Sequence, residues 1–112
     1  MIPVNSPSLL GNEKQYLLEC LESGWISSEG PFVQQFEEQY AKAYGVKHVV
    51  SCANGTDAIY IALKALGIGP GDEVITTALS WISTSETITQ SGAKVVFVDI
   101  DPNNYTIDPK KI

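Results

Sequence analysis

The sequence of 112 residues contains no arginine, only one histidine and only two cysteines. All seven positive charges are therefore lysines, and thirteen acidic residues leave a net charge of −6. An acidic chain lacks the basic surface that nucleic acids and anionic membrane surfaces require, so neither partner is expected. The absence of arginine also excludes a bidentate guanidinium grip on phosphate or carboxylate. Any anion site must use backbone N–H groups, hydroxyl groups or lysine.

Long apolar runs are absent as well, and none approaches the roughly 20 residues that a transmembrane helix needs. The chain is nevertheless 44% hydrophobic, which is too apolar for a disordered protein. Its first residues lack the basic and apolar regions of a signal peptide. Cys20, Cys52 and His48 are too few and too scattered for a zinc site. The composition predicts a cytoplasmic, metal-free globular protein with reduced cysteines.

Helical and strand-like patterns alternate along the chain, with glycine or proline between them. The spacing predicts helices over residues 13–23, 31–44, 57–66 and 81–91, and strands over residues 46–52, 73–77 and 94–99. The short connections require parallel strands joined by right-handed crossovers. Continuous apolar runs in the first and third strands are typical of strands covered on both faces. The sequence therefore predicts an α/β fold with a parallel sheet.

The last residues announce another helix, because Asp108 is a good N-cap and Pro109 suits the first helical position. Only its first turn lies within the chain. Three parallel strands would also leave sheet edges open and sheet faces thinly covered. We therefore expect residues 1–112 to be the front portion of a longer protein. A complete small domain with a frayed tail is the alternative.

An anion-binding turn is predicted where the first strand meets the next helix. The N–H groups of Gly55, Thr56 and Asp57 lie at a helix N-terminus and would hold a phosphate, with the Thr56 hydroxyl as an additional donor. Glycine at position 55 lets the backbone approach a ligand closely. A Gly-Thr turn is much less specific than a full phosphate-loop motif. On local pattern alone, a capped turn without a ligand is the more common structure.

Each of the two tryptophans allows two interpretations. Trp81 follows the second strand, at the sheet edge where open α/β sheets bind ligands. Its indole either stacks on a flat ring or lies buried between helix and sheet. Trp25, Ile26 and Ser27 belong to a loop, residues 24–31, that either binds a ligand or, more commonly, covers a core.

Two acidic residues, Asp99 and Asp101, follow the third strand. They could form a pair of carboxylates with a chemical function. A turn initiated with Pro102 is the more common role for aspartates in this pattern.

Several short motifs, taken in order, resemble the start of the sugar aminotransferases of the DegT/DnrJ/EryC1/StrS family, which are pyridoxal-phosphate enzymes. The resemblance extends from Ile2 to Ile112 and is most like the 4-amino-sugar, perosamine-type synthases. The motifs that carry it are Ile2-Pro3-Val4, Gly24-Trp25-Ile26-Ser27-Ser28-Glu29-Gly30-Pro31, Asn54-Gly55-Thr56-Asp57-Ala58, residues 67–75, and Gly92-Ala93 leading to residues 97–102.

This resemblance implies a fold and a domain organisation. Residues 1–112 would be the N-terminal segment of the large domain of a fold type I pyridoxal-phosphate-dependent transferase, a three-layer α/β/α structure with a mainly parallel sheet. The rest of the large domain and the smaller C-terminal domain would be absent. Members of the family act as homodimers with sites at the shared interface, so a homodimer is implied here too.

The resemblance also assigns residues to a site. It implies that the cofactor pyridoxal 5′-phosphate is held at its phosphate by Gly55, Thr56 and Asp57 and at its ring by Trp81. It makes Trp25, Ile26 and Ser27 candidate contacts of the substrate. No catalytic residue is expected within this chain, because the family's Schiff-base lysine lies beyond residue 112. None of the seven lysines matches it: Lys14, Lys42, Lys47, Lys64, Lys94, Lys110 and Lys111.

The implied activity is transfer of an amino group, with glutamate as the expected donor, to a 4-keto-6-deoxy sugar carried on a nucleotide diphosphate. The product would enter lipopolysaccharide O-antigen, capsule or glycan synthesis. Residues 51–58 look as much like enzymes that aminate C3, so a 3-keto substrate is an alternative. A non-catalytic binding or dimerising fragment is a further alternative. In either case, the chain by itself is expected to be inactive.

Overall fold

The computed structural model describes residues 2–112, which divide into two compact units. The first unit ends at Ser51, and the second runs Cys52–Ile112. None of the helices formed by residues 2–112 combines the length and the apolar character that a membrane crossing requires.

The first unit contains the helices α1, Glu13–Ser23, and α2, Pro31–Tyr44. Both end at a glycine in the left-handed conformation, Gly24 with φ 75° and Gly45 with φ 64°, which a side chain would disfavour. Pro31 occupies the first turn of α2, where its missing N–H costs no hydrogen bond. The predicted bounds of both helices are therefore confirmed.

Aromatic side chains line α2 at helical spacing. The rings of Phe36 and Tyr40 lie 5.6 Å apart, and those of Tyr40 and Tyr44 stack at 4.4 Å. Phe32 contacts Tyr16 of α1, with 5.1 Å between ring centroids. These contacts link the two helices of the first unit through Tyr16 and Phe32.

The second unit contains α3, Gly55–Ala65, β1, Glu73–Thr77, α4, Ser83–Ser91, and β2, Lys94–Val98. The two strands pair in parallel, with Glu73 opposite Lys94 at one end and Thr77 opposite Val98 at the other. Helix α4 packs against both strands and against α3. The predicted parallel β1–α4–β2 arrangement is confirmed. The buried residues of this unit include three on α4 and are Gly69, Thr76, Thr87, Ile88, Ser91, Ala93 and Val98.

The strand predicted over residues 46–52 is not formed, and that prediction is wrong. Within residues 2–112 the sheet consists of β1 and β2, not of three strands. The apolar pattern does not contain the long-range contacts that decide whether an apolar run joins a sheet. Val50, expected at the centre of a covered strand, is 75% exposed.

The sheet is also less covered than its apolar strands predict. Ile75 lies opposite Val96, and Phe97 lies opposite Thr76, so Ile75 and Phe97 occupy neighbouring positions of the ladder. Side chains alternate between the faces along each strand, so these two point to opposite faces. Ile75 is 45% exposed and Phe97 is 58% exposed. Each face of the sheet therefore carries a large apolar side chain in contact with solvent.

The C-terminal residues form a turn and a short 3₁₀ helix, Pro109–Lys111. Asp101 accepts hydrogen bonds from the backbone and the side-chain amide of Asn103, at 2.8 and 2.9 Å, so the turn is the correct interpretation of this aspartate. Asp99 pairs with Lys111 at 2.9 Å. Asp108 accepts a hydrogen bond from the N–H of Lys110, as expected of an N-cap.

Candidate functional site

The candidate anion site begins with Asn54, which caps α3. Its side-chain oxygen accepts a hydrogen bond from the N–H of Asp57 at 2.9 Å, and its side-chain nitrogen donates to the Asp57 carboxylate at 2.9 Å. This reciprocal pair makes α3 begin at Gly55, two residues before the predicted start. The turn that the sequence singled out is therefore held in one conformation by its own side chains.

Two of the three predicted phosphate donors remain available. Asn54 accepts the N–H of Asp57 with its side chain and the N–H of Ala58 with its carbonyl. The N–H groups of Gly55 and Thr56, at the very start of the helix, have no acceptor among residues 2–112. Apart from the neighbouring residues and the backbone of α3 itself, no heavy atom lies within 4 Å of the place where a Cβ on Gly55 would be. The backbone at Gly55 is thus open to a ligand. The Asp57 N–H is occupied by the cap, so a contact of Asp57 with phosphate stays a prediction.

The hydroxyl of Thr56 connects α3 to α4. Its Oγ1 donates a hydrogen bond of 2.9 Å to Oγ of Ser83, the first residue of α4. The first turns of the two helices therefore lie side by side, with their partly positive ends together. Sequence reasoning missed Ser83. The available signal was the run of hydroxyl residues directly after Trp81, at the same edge of the sheet.

Trp81 lies in the loop between β1 and α4 and is 80% exposed. Burial of its indole between helix and sheet, one of the two interpretations of the sequence, is therefore wrong. Short hydrogen bonds hold the loop: the Leu79 N–H donates to Thr77 Oγ1 at 3.2 Å, and the Thr84 N–H donates to the Trp81 carbonyl at 3.1 Å. The indole is thus exposed on a backbone that is fixed on both sides.

The second unit places its candidate residues at one sheet edge. Trp81 and Ser83 follow the carboxyl end of β1, and the Thr56–Ser83 contact brings the start of α3 to the same end. Ligands of open parallel sheets bind along this edge. The arrangement offers backbone N–H groups, two hydroxyl groups and an exposed aromatic ring, which suit a ligand with an anionic group and a flat ring.

The remaining candidates, Trp25, Ile26 and Ser27, lie in the first unit. Their loop is closed by backbone hydrogen bonds from Ile26 to Gly24, at 3.1 Å, and from Gly30 to Ser27, at 3.2 Å. The loop borders an apolar cavity of about 280 Å³ at α1 and α2. Trp25 and Ile26 remain largely exposed, so the choice between a covering loop and a ligand-binding loop stays a prediction.

The sequence of the chain is similar to those of known proteins. The profile described as the DegT/DnrJ/EryC1/StrS aminotransferase family matches residues 7–112. The GDP-perosamine synthase of Caulobacter vibrioides is 48% identical over 99% of this chain and 30% of its own length. The UDP-2-acetamido-2-deoxy-3-oxo-D-glucuronate aminotransferase of Pseudomonas aeruginosa is 52% identical over 72% of this chain and 23% of its own length.

A solved structure supports the same grouping. The crystal structure of NtdA from Bacillus subtilis, with its cofactor PMP (pyridoxamine 5′-phosphate) bound, superposes with a TM-score of 0.80. It is 40% identical, over 88% of this chain and 22% of that one. The chain thus spans less than a third of the length of the relatives it matches.

Proposed function

The chain belongs to the DegT/DnrJ/EryC1/StrS aminotransferase family, and from this premise we propose that it forms the N-terminal segment of the large domain of a pyridoxal-phosphate-dependent sugar aminotransferase. The length of the relatives supports this proposal, because the chain corresponds to about 30% of the perosamine synthase. The apolar side chains exposed on both faces of the sheet support it too, since further layers of a large domain would cover them.

The donor set at the start of α3 fits the cofactor phosphate. The N–H groups of Gly55 and Thr56 would hold it, and the absence of a Cβ at position 55 leaves room for it. The exposed indole of Trp81 would stack on the ring. Bound in this way, pyridoxal phosphate supplies a carbonyl carbon that accepts an amino group and a ring that stabilises the negative charge beside it. The single observation that carries the proposal is the pair of N–H groups open beside Gly55.

These residues bind and orient the cofactor, but the described part of the chain offers no lysine to react with it. Lys64 lies in the last turn of α3, at the end opposite Gly55. Lys94 lies at the amino end of β2, where its hydrogen bond to Glu73 raises its pKa. The pKa of Lys111 is raised by its hydrogen bond to Asp99. We therefore propose that the 112 residues alone bind cofactor weakly and transfer no amino group.

For the substrate, we propose a 4-keto-6-deoxy sugar on a nucleotide diphosphate, with glutamate as the amino donor. The identity of 48% with a GDP-perosamine synthase over nearly the whole chain supports this choice. The loop with Trp25, Ile26 and Ser27 would contact the sugar nucleotide. The product would serve O-antigen, capsule or other glycan synthesis, in the cytoplasm and from a homodimer.

A 3-keto nucleotide sugar is the second candidate substrate. It is supported by the P. aeruginosa relative, which is named for a 3-oxo sugar and is 52% identical over 81 residues. The match covers less of this chain than that of the perosamine synthase, so we rank it second.

The test is an assay of the complete gene product with pyridoxal phosphate and glutamate. Nucleotide-linked 4-keto-6-deoxy and 3-keto sugars are supplied in parallel, and amino-sugar products are identified by mass spectrometry. We expect product from the 4-keto sugar. Product from the 3-keto sugar alone would select the second candidate. A protein that retains no pyridoxal phosphate and converts neither sugar would overturn the proposed function.

A further inference from the structure

We propose that Ser83 is a positioning residue of the phosphate site and that, with Thr56, it forms a two-hydroxyl donor unit aimed at the anion. The inference rests on the proposed function for the presence of a phosphate at the start of α3. It goes beyond that function because it adds Ser83, which lies in the first turn of a second helix, α4.

The number of protons in the pair leads to this assignment. Each hydroxyl group has one proton to donate and two lone pairs that accept. Thr56 and Ser83 lie 2.9 Å apart, so one proton lies between the two oxygens and the other is free to point elsewhere. A phosphate oxygen only accepts, so it takes this second proton. Because Thr56 donates the proton that lies between the two oxygens, the free proton belongs to Ser83. The hydrogen bond that Ser83 accepts from Thr56 polarises its hydroxyl group and strengthens its contact with the anion.

Ser83 is held on a rigid element, as a positioning residue must be. Thr87, one turn further along α4, is completely buried, and its hydroxyl donates to the Ser83 carbonyl at 2.8 Å. The same hydroxyl also lies 3.2 Å from the Thr84 carbonyl. The backbone that carries Ser83 is therefore fixed from the buried side of α4. Ser83 in turn limits the rotation of the Thr56 side chain.

The neighbouring hydroxyl residues of α4 do not share this role. Ser85 donates to the Ile82 carbonyl of its own helix at 3.2 Å, and Thr84 pairs with Ser80 at 3.1 Å. Of the three residues that open α4, only Ser83 has a side-chain hydrogen bond to α3 within residues 2–112. Ser85 is thus a matched control: the same residue type in the same turn, without the contact.

The experiment compares pyridoxamine 5′-phosphate with pyridoxamine, which lacks the phosphate. Neither compound can bond covalently to a lysine, so the affinities report the non-covalent site. Binding is measured by calorimetry on the complete gene product, on Ser83→Ala, Thr56→Ala and the double variant, and on Ser85→Ala. We expect Ser83→Ala to weaken binding of the phosphorylated ligand about 3- to 10-fold. Binding of pyridoxamine and the Ser85→Ala variant should be unchanged.

The double variant tests the pairing. If the two hydroxyls act as one unit, the fold-loss of affinity for the phosphorylated ligand in the double variant should be smaller than the product of the fold-losses in the two single variants. Ser83→Thr, which keeps the hydroxyl, should restore binding. Should Ser83→Ala fail to fold, Ser83→Cys, which keeps the size but is a weak donor, takes its place.

Several outcomes would overturn the inference. Equal losses for both ligands would show that Ser83 only supports the fold, and a Ser83→Ala variant that behaves like Ser85→Ala would show that it plays no part. In both cases the proposed function stands, provided that the unsubstituted protein prefers the phosphorylated ligand. If the unsubstituted protein does not prefer it, the phosphate site itself is refuted.

Discussion

The carboxylate of Glu37 accepts two hydrogen bonds from Ser51, one from its backbone N–H at 2.8 Å and one from its hydroxyl at 2.9 Å. Both reach the same oxygen, Oε1, from 14 residues further along the chain. The contact attaches the last residue of the first unit to α2. Because the two donors stabilise the charged form, they lower the pKa of Glu37 below its ordinary value of 4.5.

This contact predicts a pH dependence of stability. A carboxyl group whose pKa is lower in the folded state stabilises the protein above its unfolded pKa, near 4.5. The contribution is lost as the pH falls from there through the folded pKa. Glu37→Gln should therefore be less stable than the unsubstituted protein at pH 7, and the difference should disappear in acid. Urea unfolding at a series of pH values measures it.

Glu38 is the matched control for this prediction, because it neighbours Glu37 on α2 and its carboxylate has no hydrogen-bond partner among residues 2–112. At pH 7, Glu38→Gln should lose less stability than Glu37→Gln, because the contact of Glu37 with Ser51 is kept. A Glu37→Gln variant whose deficit is the same at every pH would contradict the assigned origin of the stabilisation.

Gly55→Ala should separate folding from binding. The new Cβ would meet no heavy atom within 4 Å, and alanine favours a helix more than glycine by up to about 1 kcal/mol, so stability should be equal or higher. In the proposed site, the same Cβ would occupy space that is left for the phosphate. We expect affinity for pyridoxamine 5′-phosphate to fall about tenfold, as after the loss of one hydrogen bond to a charged group. Unchanged affinity would place the anion elsewhere.

Trp81→Ala should weaken cofactor binding without affecting the fold. The indole is 80% exposed, so the free energy of unfolding should change by less than about 0.5 kcal/mol. Loss of a stacked ring should weaken binding of pyridoxamine 5′-phosphate by about 0.5–1.5 kcal/mol. Trp81→Phe keeps a ring and should retain most of the affinity. Equal affinities in the phenylalanine and alanine variants would argue against stacking.

Gly92→Ala should be strongly destabilising. Gly92 has φ of +94°, and a Cβ there would lie 2.9 Å from two ring carbons of Pro70, which cannot rotate away. The left-handed backbone should cost about 1–2 kcal/mol of the free energy of unfolding, and overpacking against Pro70 should cost about 1–3 kcal/mol in addition. Gly67 has φ of +77° but open space around its Cβ position, so Gly67→Ala should show the strain alone. Urea unfolding compares the variants, and equal losses would exclude the clash with Pro70.

The elements that the sequence predicts correctly are those with signals a few residues long. Gly24 and Gly45 end α1 and α2, and Pro31 begins α2, because each acts through its own backbone angles. The sequence predicts the start of α3 two residues late, because the conformation in which Asn54 caps the helix is fixed only in the folded turn. No signal within residues 46–52 shows whether they join the sheet, because strand pairing depends on residues that are distant in sequence.

The residues of the candidate site also differ in whether a local signal in the sequence predicts them. Gly55 and Thr56 are recognisable from the turn that contains them. The contact of Thr56 with Ser83, and not a strand over residues 46–52, brings that turn to the carboxyl end of β1. The exposure of Trp81 was one of two interpretations that the sequence left open. Ser83 was missed because nothing within its own turn distinguishes it from Thr84 or Ser85.

The amino-acid sequence by itself determined the ends of α1 and α2, the parallel pairing of β1 with β2 and the motifs of the family, because these depend on neighbouring residues and on periodicity. Tertiary structure alone decided that Thr56 meets Ser83 across 27 residues and that the Trp81 indole faces solvent. Those features arise when α3 packs on α4, and the packing depends on the shapes of surfaces that are distant in sequence.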